Sequence, residues 1–155
     1  MGGEFTSPGE AEMIVLEVRR TIYAPAQQVF DAWTQPMHLR KWWGPRPVTC
    51  AHAEIDLRVG GSYRIANEFP DGSVLWISGK FEVVDPPRKL VYTWRTNREL
   101  PFFERVTVEF NACDEATEVV VRHERIPDVA TRDKHEEGWK GCLRALANYM
   151  NRDTK

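Results

Sequence analysis

Residues 131–150 constrain the fold most, because their apolar side chains recur at the period of an α-helix. At about 100° per residue, one arc of the helical wheel collects the apolar residues together with one histidine and one glycine. The members of this arc are Ala145, Gly138, Tyr149, Cys142, His135, Leu146, Trp139, Met150 and Leu143. The opposite arc is polar. The sequence therefore predicts an amphipathic helix of about 30 Å, long enough to span a small domain.

Two residues on the apolar arc are unusual for a buried helix face. His135 is polar, and Gly138 costs roughly 1 kcal/mol relative to alanine in a helix interior. An interior glycine has a packing or a functional cause. Gly138 either permits close contact between helix and sheet or leaves room for a ligand beside Trp139.

The chain before this helix alternates like a series of strands separated by turn signals. A first strand is predicted over residues 13–23, and proline signals predict two short helices over residues 26–34 and 36–42. The further strands predicted are residues 48–57, 62–69, 73–84, 89–96, 102–112 and 117–124. Short connections favour an antiparallel meander that curls, and a curled sheet needs an element to fill it. The predicted class is α+β, with a curved seven-stranded antiparallel sheet around the C-terminal helix.

Composition limits the classes of function. The length of 155 residues predicts a single domain over residues 13–151. Residues 1–12 are small and polar, which predicts a disordered tail. The alternative is that part of this tail derives from an expression vector. The net charge of −2 comes from mixed acids and bases, which argues against nucleic-acid binding. Three separated cysteines without a CxxC pair fit a reducing cytoplasm, and no apolar run is long enough to span a membrane.

Several short sequence motifs occur in a characteristic order. They are Trp42-Trp43-Gly44-Pro45, Gly60-Gly61-Ser62-Tyr63, Pro70-Asp71-Gly72, Asp85-Pro86-Pro87-Arg88-Lys89-Leu90 and His135-Glu136-Glu137-Gly138-Trp139. Over residues 16–150 this combination resembles the heat-shock ATPase activator homologue family, and specifically the C-terminal domain of activators of the heat-shock protein ninety ATPase. That family belongs to the START-like or SRPBCC superfamily, which has the birch-pollen-allergen helix-grip fold.

The resemblance implies a fold more firmly than a function, since one scaffold hosts many activities. It implies an apolar cavity between sheet and last helix, which in relatives takes lipids, sterols, polyketides or other hydrophobic molecules. The eukaryotic activators pair this domain with a separate N-terminal domain that contacts the chaperone. We expect no room for such a domain in 155 residues, so the resemblance favours ligand binding over chaperone regulation.

Strand alternation predicts which polar residues face the helix. In the last strand His123 shares a face with Thr117, Val119 and Val121, and in the preceding strand Glu104 shares one with Phe102, Val106, Val108 and Phe110. With His135 on the inward arc of the helix, the three side chains could approach one another. The alternatives are core histidines satisfied by a carbonyl or a water, and a Glu104 that pairs with Arg105 or Arg122.

The predicted ligand-binding set combines these residues with aromatic side chains, because ligand sites are mostly apolar with a few polar groups. Its members are Trp33, Trp43, Tyr63, Trp76, Trp94, Glu104, Val106, Val121, His123, His135, Trp139 and Cys142. The alternative interpretation is that about half of the aromatic residues are simply core. The loop at Trp43 is expected to form a mobile gate at the cavity entrance, as the resemblance implies.

Known catalytic and cofactor motifs are missing from the sequence. It has no HExxH, no Gly-x-Ser-x-Gly and no phosphate-binding glycine loop. Cys50 and His52 place two potential ligands on one strand face, which is too few for a metal. We therefore predict no metal, no cofactor and no assigned catalytic residue.

Three functions remain open at this stage. The leading hypothesis is a carrier or sensor of a small hydrophobic molecule. An enzyme of the cyclase or hydrolase type that uses Glu104, His123 or His135 as acid or base is the alternative. A module that regulates a heat-shock chaperone through its surface is the third hypothesis.

Overall fold

The computed structural model describes residues 14–96 and 103–153. Strand β1 is followed by two short helices, six further strands and a long helix. The bounds are β1 Ile14–Ile22, α1 Ala26–Thr34, α2 Pro36–Trp42, β2 Thr49–Ile55, β3 Ser62–Glu68, β4 Val74–Asp85, β5 Lys89–Thr96, β6 Glu104–Cys113, β7 Ala116–Ile126 and α3 Val129–Asp153. The predicted tail over residues 1–12 and the predicted strand residue Phe102 lie outside the described residues.

The seven strands form one antiparallel sheet in the order β1-β7-β6-β5-β4-β3-β2. Strands β2 to β7 follow chain order, and β1 pairs with β7 at the far edge. The predicted α+β helix-grip fold is confirmed. Register shifts interrupt three of the strand pairs, for example between Phe81 and Val83 on β4. Such bulges increase the local twist and bend the strand, which helps the sheet to curl.

One face of this sheet forms the core. On β7, alternate residues from Thr117 to His123 are at most 1% exposed, as the predicted alternation requires. On β6, Glu104 lies on the buried face together with Val106, Val108 and Phe110. The inward positions of His123 and Glu104 follow from the two-residue period of a strand.

Helix α3 lies across the buried face of the sheet. Its inward residues are at most 4% exposed, and they are Trp139, Cys142, Leu143, Leu146 and Met150. The helix begins two residues before the predicted start at residue 131, because Oδ1 of Asp128 accepts the backbone N–H of Thr131 over 2.7 Å. This is the capping contact of a helix N-terminus. No helix in the described part of the chain is long and apolar enough to cross a membrane.

Helix α1 places an aromatic ring next to α3, and α2 is bound to α1. The ring of Trp33 stacks on that of Trp139 with 6.1 Å between centroids and 15° between planes. The indole N–H of Trp42 donates to the carbonyl oxygen of Ala32 over 2.8 Å, which ties α2 to α1. The short helices therefore form a fixed wall beside the long one.

Candidate functional site

Two cavities lie between the sheet and the helices. The smaller, which we call the inner cavity, has a volume of about 20 Å³. Space of this size holds about one water molecule. The inner cavity is lined by Trp33, Thr34, Leu39, Trp43, Ile55, Tyr63, Ile65, Phe81, Leu90, Tyr92 and Trp94.

The larger, which we call the helix cavity, has a volume of about 140 Å³. It is lined by Trp43, Pro45, Asn67, Leu75, Ile77, Trp94, Thr96, Lys134, His135, Gly138, Trp139 and Cys142. Trp43 and Trp94 line both cavities and therefore separate them. Pro45, Lys134 and Gly138 also line an open groove at the surface, so they form the mouth of the helix cavity.

Two glycines of α3 have opposite surroundings. A Cβ atom at Gly138 would have no neighbouring atom within 4 Å, whereas a Cβ atom at Gly141 would lie 2.5 Å from Cβ of Pro45. Gly138 therefore does not permit a close contact between helix and sheet, which was the first alternative, and it leaves open space next to Trp139. Gly141 is the residue that permits close approach, here to the loop after α2. Sequence reasoning missed it, although the cost of a helix-interior glycine applies equally at position 141.

A polar cluster made of Glu104, His123 and His135 lies beside the helix cavity. Oε1 of Glu104 is 2.6 Å from Nε2 of His123 and 2.9 Å from Nε2 of His135. The two imidazole rings stack with 4.2 Å between centroids. The three side chains, from β6, β7 and α3, meet as the sequence suggested.

The hydrogen bonds assign the protons of this cluster. An indole N–H can only donate, so Nδ1 of His123 accepts from Trp139 over 3.0 Å and carries no proton. Burial raises the pKa of Glu104, but the hydrogen bonds from His123 and His135 outweigh it and lower the pKa to about 2. Glu104 is then a carboxylate that only accepts, and both Nε2 atoms donate to it. Burial lowers the pKa of His123 to about 4, so its ring is neutral at neutral pH.

The donor set of the cluster resembles a metal site, since its three ligand atoms lie within 4.8 Å of one another. A metal-binding histidine, however, donates its second ring N–H to an acceptor. His123 does the reverse, because its Nδ1 accepts from Trp139. Its Nε2 therefore carries the proton where a metal would need a lone pair. The cluster does not fit a metal ion, and we derive no metal chemistry from it.

Of the three cluster residues, His135 is the one placed to act as an acid or base on a molecule in the helix cavity. It is the one member of the cluster that lines the cavity, whereas His123 is fully buried behind it. Glu104 does not pair with Arg105 or Arg122, which was the alternative. Arg105 donates to Glu82 over 2.7 Å, and Arg122 lies 3.9 Å from Glu124.

The other predicted site residues divide between the cavities and their surroundings. Trp33 and Tyr63 line the inner cavity, and Trp139 and Cys142 line the helix cavity. Val106 and Val121 are buried core residues that line neither.

Two expectations differ from the structure, both on strands at one side of the sheet. Trp76 lies on the outer face, with its ring 4.2 Å from the Arg64 guanidinium, because the adjacent Ile77 takes the inward position. Cys50 and His52 do not share a face, since a register shift between them leaves Cys50 buried and His52 half exposed. A bulge of this kind breaks the two-residue alternation on which the expectation depended.

Asn67 is a cavity residue that the sequence analysis missed. Its Oδ1 accepts the indole N–H of Trp43 over 2.9 Å, which holds that ring between the two cavities. Strand alternation from Tyr63 and Ile65 was the available signal, because it places Asn67 on the inward face.

Comparisons with known proteins agree with this architecture. Residues 23–151 match the family described as Activator of Hsp90 ATPase homolog 1-like protein. No curated protein matches the chain. Among solved structures, a protein from Chromobacterium violaceum has 27% sequence identity and a TM-score of 0.81, and the match covers 88% of this chain and 96% of that one.

Two further structures show the range of similarity. An AHSA1 protein from Silicibacter pomeroyi has 22% identity and a TM-score of 0.81, over 90% of this chain and 99% of that one. An HSP90 activator from Plasmodium falciparum has 29% identity and a TM-score of 0.60, over 74% of each chain. Because the family match spans most of the sequence and the fold agrees, this chain belongs to the family of Activator of Hsp90 ATPase homolog 1-like proteins.

Proposed function

We propose that this protein binds a small hydrophobic molecule in the helix cavity, as a carrier or sensor. The observation that supports the proposal is the cavity of about 140 Å³ between the sheet and α3, with Gly138 at its mouth. Its walls are mostly aromatic and aliphatic, and His135 is one of few polar groups. Such a lining is typical of ligand sites.

The volume limits the size of the ligand. Drug-sized ligands occupy pockets of about 300 to 1,000 Å³, whereas an apolar cavity of about 150 Å³ holds one benzene molecule. A lipid, sterol or polyketide would therefore require Trp43, the loop after it, or α3 to move. A ligand with a single ring would enter without such a change.

Titration of the ¹⁵N-labelled protein with benzene, fatty acids, sterols, flavonoids and polyketides tests the proposal. We expect saturable amide shifts at Trp43, Gly138 and Trp139. The variant Gly138→Leu should abolish them, because its side chain fills the open space at the mouth. The matched control is Glu136→Leu, which adds the same side chain on α3 at a residue that lines neither cavity. Saturation without shifts at cavity residues, or equal binding by Gly138→Leu, would contradict the proposal.

A second candidate function is regulation of a heat-shock chaperone. Membership of a family described as Hsp90 ATPase activator homologues favours it, as does the similarity to the Plasmodium falciparum activator. The test is the ATPase rate of an Hsp90 chaperone with increasing amounts of this protein. An unchanged rate at saturating concentration would remove this candidate. A cytoplasmic location is part of both proposals, and the free thiols of Cys50, Cys113 and Cys142 support it.

A further inference from the structure

Two residues on the wall of the helix cavity each have a ring nitrogen that is not paired within residues 14–96 and 103–153. One is Nδ1 of His135, and the other is the indole nitrogen Nε1 of Trp94. Both side chains line the helix cavity, and their ring centroids are 5.8 Å apart. A ligand in the helix cavity can therefore contact both residues.

Nδ1 of His135 is a hydrogen-bond acceptor. Its Nε2 lies 2.9 Å from the Glu104 carboxylate, which can only accept, so in the neutral imidazole form that the proposal requires the proton is on Nε2. The lone pair is then on Nδ1. The hydrogen bond to Glu104 thus fixes the tautomer of His135, as a carboxylate does for a histidine in many sites.

Nε1 of Trp94 is a donor without an acceptor. Trp94 is 8% exposed, and no described residue accepts its N–H. A buried donor left unpaired carries a desolvation penalty, and such groups are rare in folded proteins. A ligand oxygen that accepts this N–H would remove the penalty.

A hydroxyl group matches both atoms, because it donates one hydrogen bond and accepts others. A carbonyl oxygen would accept from Trp94 but leave Nδ1 of His135 unpaired. An ammonium group could donate to His135 but could not accept from Trp94. The volume of about 140 Å³ and the rings of Trp43 and Trp139 on the wall suit one aromatic ring.

We propose that the helix cavity takes a monocyclic phenol, whose hydroxyl group donates to Nδ1 of His135 and accepts from the indole N–H of Trp94. This rests on the proposed function, since it names the ligand class for the same cavity. The ring fills the apolar space, and the hydroxyl group gives the selectivity. His135 and Trp94 are thus the residues that determine specificity.

Calorimetric titration with phenol and toluene tests this directly, because the two differ only by a hydroxyl group in place of a methyl group. We expect phenol to bind about tenfold more tightly, as one well-made hydrogen bond allows. Toluene is the more hydrophobic of the two, so a preference for phenol cannot come from burial alone. Equal affinities, or tighter binding of toluene, would overturn the phenol assignment but leave the proposed function intact. No binding of either ligand would also overturn the phenol assignment, whereas the proposed function fails only if the wider ligand panel gives no saturable shifts at cavity residues.

Two variants locate the preference. His135→Phe should reduce the preference for phenol while still binding toluene, and Trp94→Phe, which removes the indole N–H together with the five-membered ring, should also reduce it. The matched control His52→Phe replaces a half-exposed histidine on β2 and should keep the full preference. A full preference in His135→Phe would contradict the assignment.

A measurement on the unmodified protein makes the test independent of variant folding. The ¹⁵N resonance of Nδ1 of His135 should shift on addition of phenol, because its lone pair accepts a hydrogen bond, and should stay in place with toluene. An unchanged resonance at saturating phenol would overturn the proposal.

Discussion

The indole N–H of Trp139 on α3 donates to Nδ1 of His123 on β7 over 3.0 Å, and both side chains are buried. This bond joins the helix to the sheet and determines which nitrogen of His123 carries the proton. Nε2 must then donate to Glu104, 2.6 Å away. One inter-element hydrogen bond thus sets the protonation of the whole cluster beside the cavity.

The coupling between Trp139 and His123 is measurable by a double-mutant cycle. His123→Leu leaves the indole N–H unpaired and removes one donor from Glu104, so we expect a loss of about 2 to 4 kcal/mol in the free energy of unfolding. Trp139→Phe leaves Nδ1 unpaired. The double variant should lose less than the sum, with a coupling of about 1 kcal/mol, as expected for residues in contact. Urea denaturation measures all four proteins, and additive losses would contradict the coupling.

Stability should fall as the pH falls from about 6.5. The folded-state pKa of His123, about 4, lies below the ordinary 6.5, so the unfolded chain takes up the proton first. The stability that neutral His123 contributes is fully present above pH 6.5 and is lost as the pH falls towards 4. The pKa of Glu104 is lowered to about 2 from 4.5, so the stability that this carboxylate contributes is lost in the same way as the pH falls from 4.5 to 2. Each proton contributes a slope of at most about 1.4 kcal/mol per pH unit.

Denaturant unfolding at pH 7, 6, 5 and 4.5 measures this slope. In His123→Leu the fall between pH 6.5 and 4.5 should be shallower, because the group that titrates is gone. His52→Gln, which removes a half-exposed imidazole on β2, is the control. A stability that stays constant from pH 7 to 4.5 would argue against a buried neutral His123.

Alanine at the two glycines of α3 should act in opposite directions. Gly138→Ala should stabilise the protein by up to about 1 kcal/mol, because alanine is the better helix former and its methyl group meets nothing within 4 Å. Gly141→Ala has the same intrinsic advantage but places Cβ 2.5 Å from Pro45, so it should destabilise the fold. Each variant serves as the control of the other in thermal unfolding. Equal effects would contradict the assigned surroundings.

The three cysteines should differ in reactivity with iodoacetamide. Cys113 is exposed. Burial raises the pKa of the Cys142 thiol to about 12, so this side chain stays a thiol at pH 8. Burial also raises the pKa of Cys50. Mass spectrometry of the native protein at pH 8 should find Cys113 labelled first, and equal labelling in urea. Rapid native labelling of Cys142 would indicate that the helix cavity opens.

Removal of the Trp43 ring should join the two cavities, since this side chain lines both. We expect Trp43→Ala to lose about 3 to 5 kcal/mol of stability, as for other tryptophan truncations in cores. It should also bind ligands larger than one ring, such as naphthalene, that the unmodified protein excludes. Trp76→Ala, on the outer face of the sheet, is the matched control and should leave ligand size unchanged. If a folded Trp43→Ala variant still excluded naphthalene, the conclusion that Trp43 separates the two cavities would be contradicted.

The sequence by itself determined the elements and their inward faces. The 3.6-residue period over residues 131–150 and the two-residue periods of β6 and β7 are local properties, because the backbone alone sets where successive side chains point. They were enough to place Glu104, His123 and His135 on facing surfaces. The aromatic residues Trp33, Trp43 and Trp139 were also recognisable as interior.

Only the tertiary structure decided how these faces meet. The proton positions of the cluster depend on Trp139 reaching His123 across 16 residues of sequence. The space beside Gly138 and the contact of Gly141 with Pro45 depend on where the loop after α2 packs. A bulge on β2 reversed the direction of His52. Register, bulges and cavity volume arise from the packing of segments distant in sequence, and no local period encodes them.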